Sequence, residues 1–220
     1  MLLNFRQKLL GKVPRTREDF DPAQILSNLK SEDILVLDSS TDLPDDWREV
    51  DLNSFYEEEP AESEPDARRP SNPGPIFDTT MEEELERSRV DPLRVIVFTT
   101  IRLLGLLTMC TRGSVDGTFR CITKLWRQLF IVMVEYNGLH LPIAMAWLPD
   151  KTAVSYYVCL WLILQAFQAH SEEIKSLYGS SKLRLRKIKS DFEISIHLAF
   201  EMFHLSGCYF HYSQVKCVCL

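Results

Sequence analysis

The sequence predicts a mixed α/β domain, in which helices pack on a sheet that is partly antiparallel and partly parallel, preceded by an acidic arm. Three observations carry this. Asn137-Gly138 stands between two β-like runs, and Asn-Gly is the strongest short hairpin signal. Downstream of that hairpin, helical and short β-like runs alternate, the pattern of crossovers that join parallel strands. The charge is also segregated. Residues 32–86 hold 19 Asp and Glu against 3 Lys and Arg, residues 87–220 carry a net +7 and residues 1–31 a net +3. The overall −6 therefore describes the arm and hides a basic C-terminal half suited to a polyanion.

The 220 residues divide into three parts: a short N-terminal segment with little tertiary structure (1–38), an acidic proline-rich disordered linker (39–88), and a folded domain (89–220). In residues 57–75, prolines and glutamates leave almost no large apolar side chains, too few to offset the entropy of ordering the backbone. Trp47 and Phe55-Tyr56 are short apolar patches in the arm, either incidental or able to dock on a partner. The most apolar run, residues 156–164, is far short of the ~20 residues a membrane span needs. The start of the chain lacks the sustained apolar core of a signal peptide. Six cysteines at irregular spacing point to reduced thiols in the nucleus or cytoplasm.

Within the domain, residues 94–100 are β-branched and short, 101–110 read as a leucine-rich helix, and 115–122 as a strand. The hairpin joins runs 129–135 and 139–147, and Pro142 in the second run asks for an edge position or a bulge. Asp150 or Thr152 caps a helix over 153–169 that is apolar nearly all round, hence buried. A strand over 183–189 ends at Asp191. A helix follows over 192–204 with Phe192, Ile196, Ala199 and Phe203 on one face, and a last short strand spans 207–211.

Asp116 lies in Val115-Asp116-Gly117-Thr118-Phe119, and Asp191 in Ser190-Asp191-Phe192-Glu193. With Gln128-Leu129-Phe130, Asn137-Gly138, Leu148-Pro149-Asp150-Lys151 and Gly207-Cys208-Tyr209-Phe210-His211 plus Gln214, these motifs resemble, in order and spacing, the catalytic core of Mutator-like element (MULE) transposases over residues 93–216. The resemblance implies a partial ribonuclease H-like fold. It also implies a DDE-type site in which Asp116 and Asp191 are catalytic and hold Mg²⁺, with Gly117, Phe119, Cys208 and His211 as structural motif residues. Hard carboxylate oxygens at strand ends suit Mg²⁺, and two such ions ~4 Å apart can serve in-line attack on phosphorus. In the family the third carboxylate is a Glu that follows the Cys-x-x-His motif, beyond Leu220. Glu193 and Glu201 precede that motif and are not its equivalents. DNA is the implied partner, with a homo-oligomer also open.

Each motif has a plainer reading. Asp116 before Gly117 suits a turn, and Asp191 suits a helix N-cap. Cys208-x-x-His211 is half of a zinc spacing, with only Cys217 and Cys219 nearby. Glu193, His197 and Glu201 form one helical stripe, ordinarily a solvated face. Lys182, Arg184, Arg186, Lys187 and Lys189 suit a DNA backbone, a nuclear localisation signal or a charge-protected edge strand. Two function classes follow: a transposase-derived DNA-associated protein whose incomplete site does not cleave independently, or a non-catalytic remnant that binds through its acidic arm and basic core.

Overall fold

The computed structural model describes residues 16, 17, 21, 33–43, 55, 93–118, 125–191 and 193–208. Among these residues seven strands form one sheet: β1 (Leu35–Asp38), β2 (Ile96–Thr99), β3 (Arg112–Thr118), β4 (Gln128–Tyr136), β5 (Leu139–Leu148), β6 (Lys187–Ser190) and β7 (His204–Gly207). The helices are α1 (Ser39–Asp42), α2 (Ile101–Gly105), α3 (Ala153–Ala169), α4 (Ser171–Tyr178) and α5 (Ile194–Ala199). The strand order is β1-β2-β5-β4-β3-β6-β7. The β1/β2, β2/β5, β5/β4 and β4/β3 pairs are antiparallel, and β3/β6 and β6/β7 are parallel. The expected mixed sheet with packed helices is present.

Asn137 (φ 49°) and Gly138 (φ 77°) both take the left-handed conformation that a two-residue hairpin turn needs, so β4 and β5 pair along their whole length. Val132 pairs with Ala144 but Met133 pairs with Pro142, which leaves Ile143 as a bulge. Pro142 thus sits beside a bulge on a part of β5 that the β2 ladder, which ends at Met145, does not reach, so its missing N–H is tolerated. The Thr99 hydroxyl donates to the Ile143 carbonyl at 2.7 Å.

Gln128, Phe130, Val132 and Val134 of β4 are buried and alternate with half-buried neighbours, so one face of the sheet is the main core. α3 covers that face. Thr152 caps it by accepting from Ser155 N–H, and residues 153–164 are all buried, as expected of a helix apolar on every side. The Phe130 ring meets Tyr156 at 4.9 Å and Phe200 at 6.0 Å. On the other face Ile96, Trp126, Phe98 and Trp147 make a smaller cluster beside the open part of the sheet.

Several boundaries differ from the sequence reading. The strand expected over 115–122 is β3, which starts earlier, and residues 119–124 lie outside the described residues. The strand expected over 183–189 narrows to β6. Its first residues instead bond to loops, Arg184 N–H to Leu107 O and Arg186 N–H to Thr111 O. The helix expected over 192–204 is only α5. Phe200 and Phe203 keep helical spacing while both turn into the core, so periodicity did not reveal the turn between them. His204 N–H then bonds to Arg186 O and opens β7, three residues before the expected strand; 209–211 lie outside the described residues. α4 was not foreseen: only Ile174 in it is buried, and it ends at Gly179 (φ 78°).

The division at residue 38/39 falls inside a packed unit. β1 and α1 are contiguous, and Asp38 is 6% exposed. Phe55, read as part of the arm, is buried in the core, and its carbonyl accepts from Leu183 N–H at 3.2 Å. Trp47, Tyr56 and residues 57–92 lie outside the described residues.

Gly113 in β3 permits a close approach of strands. A Cβ there would lie 2.6 Å from the Met133 carbonyl oxygen and 3.2 Å from Leu185 Cδ1. The oxygen belongs to the ladder backbone, so the strand itself must shift. Gly113→Ala is expected to destabilise the fold by about 1–3 kcal/mol, read as a lowered urea midpoint.

Candidate metal centre

In the parallel ladder Arg112 pairs with Lys187, Gly113 with Ile188 and Ser114 with Lys189. Strand neighbours at the same level point to the same side, and successive residues alternate. Gly113, Val115 and Ile188 are buried, whereas Arg112, Asp116, Lys187 and Lys189 are exposed. The ladder's last pair is Ser114 and Lys189, and Asp116 and Asp191 each follow it by two residues, Asp191 being the residue after β6. Ser190 pairs with Gly207 across β6 and β7, and Cys208 N–H donates to Ser190 O at 2.7 Å. Asp116, Asp191 and Cys208 therefore lie at or just past the C-terminal ends of three parallel strands. β3 is also where the sheet order reverses, with β4 on one side and β6 on the other. In open α/β sheets ligands bind outside the strand C-termini at such a switch point.

Each aspartate has a local anchor. Asp116 Oδ1 accepts from Gly117 N–H at 2.8 Å, and Asp191 Oδ1 accepts from Glu193 N–H at 3.0 Å. Asp191 is therefore not the N-cap its sequence suggested: Glu193 holds that position, α5 begins three residues after Asp191, and Asp191 makes an Asx-type turn contact instead. Oδ2 of both carboxylates keeps no protein hydrogen bond among the described residues. Ser190 Oγ and His197 Nε2 sit 2.9 and 3.1 Å from Asp191 O, and 3.2 Å from each other. This small cluster clamps the loop from behind.

Gly117 is half-buried, and a Cβ on it would lie 2.6 Å from Gln128 Oε1. Cys208 is a free, half-buried thiol. Phe119 and His211 lie outside the described residues, and with His211 goes half of the Cys-x-x-His motif.

Glu193 and His197 are not on a solvated stripe. Glu193 is the N-cap residue of α5, yet its side chain makes no capping bond. Its Oε1 accepts from the Tyr156 hydroxyl at 2.8 Å, and its Oε2 takes Lys151 Nζ at 3.1 Å. The helix stops too early to carry Glu201, which lies in the turn after it. Sequence reasoning missed the Gln128–Tyr156–Glu193 contacts. The available signal was a tyrosine in the middle of a helix apolar on all sides, since a buried hydroxyl there must find a partner. Burial pushes the Tyr156 hydroxyl far above its ordinary pKa; the hydrogen bond from Gln128 opposes this, and Glu193 and Asp191 add to it.

The basic run is divided by the fold. Lys187 and Lys189 stand on the same side as Arg112 and Asp116, while Leu183, Leu185 and Ile188 are buried between the cations. Lys182 and Arg184 are exposed before the strand, and Arg186 is half-buried. β6 lies between β3 and β7, so these charges do not protect a sheet edge. Their side of the ladder carries Arg112, Lys187 and His204 in one row and Ser114, Lys189 and Ser206 in the next, without a large apolar side chain.

The donor chemistry suits Mg²⁺: two carboxylates, each with an oxygen to spare, match an ion that takes one or two protein carboxylates and keeps several waters. Among the described residues no group of three His, Cys, Asp or Glu side chains is placed to share a metal ion. A groove of about 470 Å³ between α1 and the second half of α3, lined by Leu37, Thr41, Trp161 and His170, contains none of the candidate residues. No helix among the described residues is long and apolar enough to cross a membrane. Comparison with protein-family models, curated proteins and solved structures finds no match to this chain.

Proposed function

We propose that this chain is a transposase-derived, DNA-associated protein with a ribonuclease H-like core, in which Asp116 and Asp191 form an incomplete DDE-type site for Mg²⁺. The observation that carries the reading is the parallel β3/β6 ladder, whose last pair, Ser114 and Lys189, is followed two residues later on each strand by Asp116 and Asp191. The topology supports it. A three-strand antiparallel meander, β3 to β5, is extended beyond its first strand by parallel β6 and β7, and helices occupy both crossovers, an order compatible with a ribonuclease H-like core. The cationic rows beside the aspartates suit a phosphate backbone, and sequence-independent binding of that kind is dominated by such contacts. The thiols of Cys110, Cys159 and Cys208 are free, in keeping with the nucleus or cytosol.

The residues have distinct tasks. Asp116 and Asp191 would hold the cation, which when bound supplies charge neutralisation at a phosphoryl oxygen. Arg112, Lys187 and Lys189 would hold the strand. Glu193 does not complete the carboxylate set, because its two oxygens are engaged by Tyr156 and Lys151.

Two measurements test this. Duplex DNA binding is expected to weaken as salt rises, and the triple variant Arg112→Gln, Lys187→Gln, Lys189→Gln should lower the salt slope by up to about 3, near one unit per lost phosphate contact. An unchanged slope removes this face from the account. On supercoiled plasmid with Mg²⁺ or Mn²⁺, the chain is expected to nick no faster than the Asp116→Ala, Asp191→Ala variant. Faster nicking would mean that a second copy or another group completes the site.

A further inference from the structure

Beneath the open face a partly buried chain of hydrogen bonds runs from Gln128 of β4, which packs beside Gly117 of β3, to the loop that carries Asp191. Gln128, 0% exposed, donates from Nε2 to the Tyr156 hydroxyl at 2.8 Å and to Asp150 O at 3.1 Å. The Tyr156 hydroxyl donates to Glu193 Oε1 at 2.8 Å, and Glu193 N–H donates to Asp191 Oδ1 at 3.0 Å. At the other end Gln128 Oε1 is buried without a hydrogen-bond partner among the described residues, and it fills the space that a Gly117 Cβ would occupy.

Two features mark this chain as more than satisfied core polarity. Gln128 leaves a buried acceptor unmatched, an unfavourable arrangement in a core that apolar side chains could fill. Glu193 stands at the N-cap of α5 but leaves the helix uncapped and reaches Tyr156 instead. Tyr156 itself is fixed, since it is 1% exposed in the buried helix α3 with its ring against Phe130. Its hydroxyl is thus a rigid peg between Gln128 of β4 and Glu193 of the loop before α5.

We propose that Gln128, Tyr156 and Glu193 form a positioning unit that ties the Asp191 loop to the β3/β4 ladder beside Gly117 and so sets the separation of the two carboxylates for a divalent cation. This rests on the reading of Asp116 and Asp191 as cation ligands. None of the three touches the cation; they act through the backbone on either side of it. Partners behind a metal ligand typically change affinity by 10- to 100-fold when removed, and a hydroxyl deletion that leaves the ring in place isolates that effect from packing.

The test is Mn²⁺ affinity of the full chain, measured by electron paramagnetic resonance of the free ion, with thermal melting alongside. Tyr156→Phe is expected to weaken Mn²⁺ binding at least tenfold, with the folded spectrum retained. Glu193→Gln keeps an oxygen for the Tyr156 hydroxyl and should retain most of the affinity, whereas Glu193→Leu should lose it. This pair keeps the test open if Tyr156→Phe does not fold. Should Tyr156→Phe and Glu193→Leu bind Mn²⁺ like the parent while Asp116→Asn, Asp191→Asn abolishes binding, the positioning unit is overturned and the ligand reading stands. If the parent binds no better than that double variant, the ligand reading fails and takes the positioning unit with it.

Discussion

Arg94→Ala is expected to lower stability by about 3–5 kcal/mol, the range for removing one partner of a buried ion pair. Arg94 Nη2 lies 2.6 Å from Asp38 Oδ2, with Nε at 3.2 and 3.1 Å from the two oxygens. The side chains are only 12% and 9% exposed. Arg94 Nη1 also donates to Arg17 O, and Asp38 Oδ1 accepts from the Ser40 N–H and hydroxyl. Truncating the arginine leaves a buried carboxylate whose largest donor is gone, at the joint between β1 and α1. Urea denaturation of Arg94→Ala and of Asp38→Ala checks this, and the double variant should cost clearly less than the sum of the two. A loss below 1 kcal/mol in both single variants would show the pair to be solvated.

The same pair has a pH signature. Burial opposes ionisation of Asp38, but the Arg94 hydrogen bond, the two Ser40 donors and the Arg94 charge outweigh it and hold the carboxyl below its ordinary value of 3.8. A folded-state pKa below the unfolded one contributes stability that is fully present above the unfolded value, near pH 4, and is lost as pH falls through the folded one. Asp38→Asn should therefore flatten the acid limb of the stability profile below about pH 4.

Phe130→Ala is expected to cost about 3–5 kcal/mol. Phe130 is 0% exposed, in ring contact with Tyr156 of α3 and with Phe200 just after α5. It joins the sheet to both crossover helices from one position. Its neighbour Ile131 points to the other side of β4 and is half-buried, so Ile131→Ala should cost markedly less. Comparable losses at the two positions would mean that the second face is as closely packed as the first.

Legibility followed the range of the forces involved. The hairpin was readable because Asn137-Gly138 imposes its own backbone conformation and hence the β4/β5 register. Helix 153–169 was readable to the residue, since an apolar run of that length with Thr152 before it has few alternatives. The bulge at Ile143 was half legible: Pro142 demanded a bulge or an edge, and the structure supplies both, since β5 shifts register at Ile143 and β2 pairs only with Met145, Ala146 and Trp147. The arm boundary was misjudged because Asp38, Ser39 and Phe55 sit in acidic, polar sequence while their partners, Arg94, Val95 and Leu183, lie far along the chain. A deletion of the whole acidic stretch 32–86 would consequently remove β1 and its ion pair along with the charge.

By itself the sequence determined the local elements, the segregation of charge and two aspartates at strand ends, because propensity, turn chemistry and periodicity act within a few residues. The tertiary structure decided which strands are neighbours, and so that Asp116 and Asp191 follow the ends of one parallel β3/β6 ladder. It alone turned Glu193 inward to Tyr156, and built β1 and Phe55 into the core. Those outcomes depend on contacts between residues tens of positions apart, where burial and the pairing of buried polar groups override any local preference.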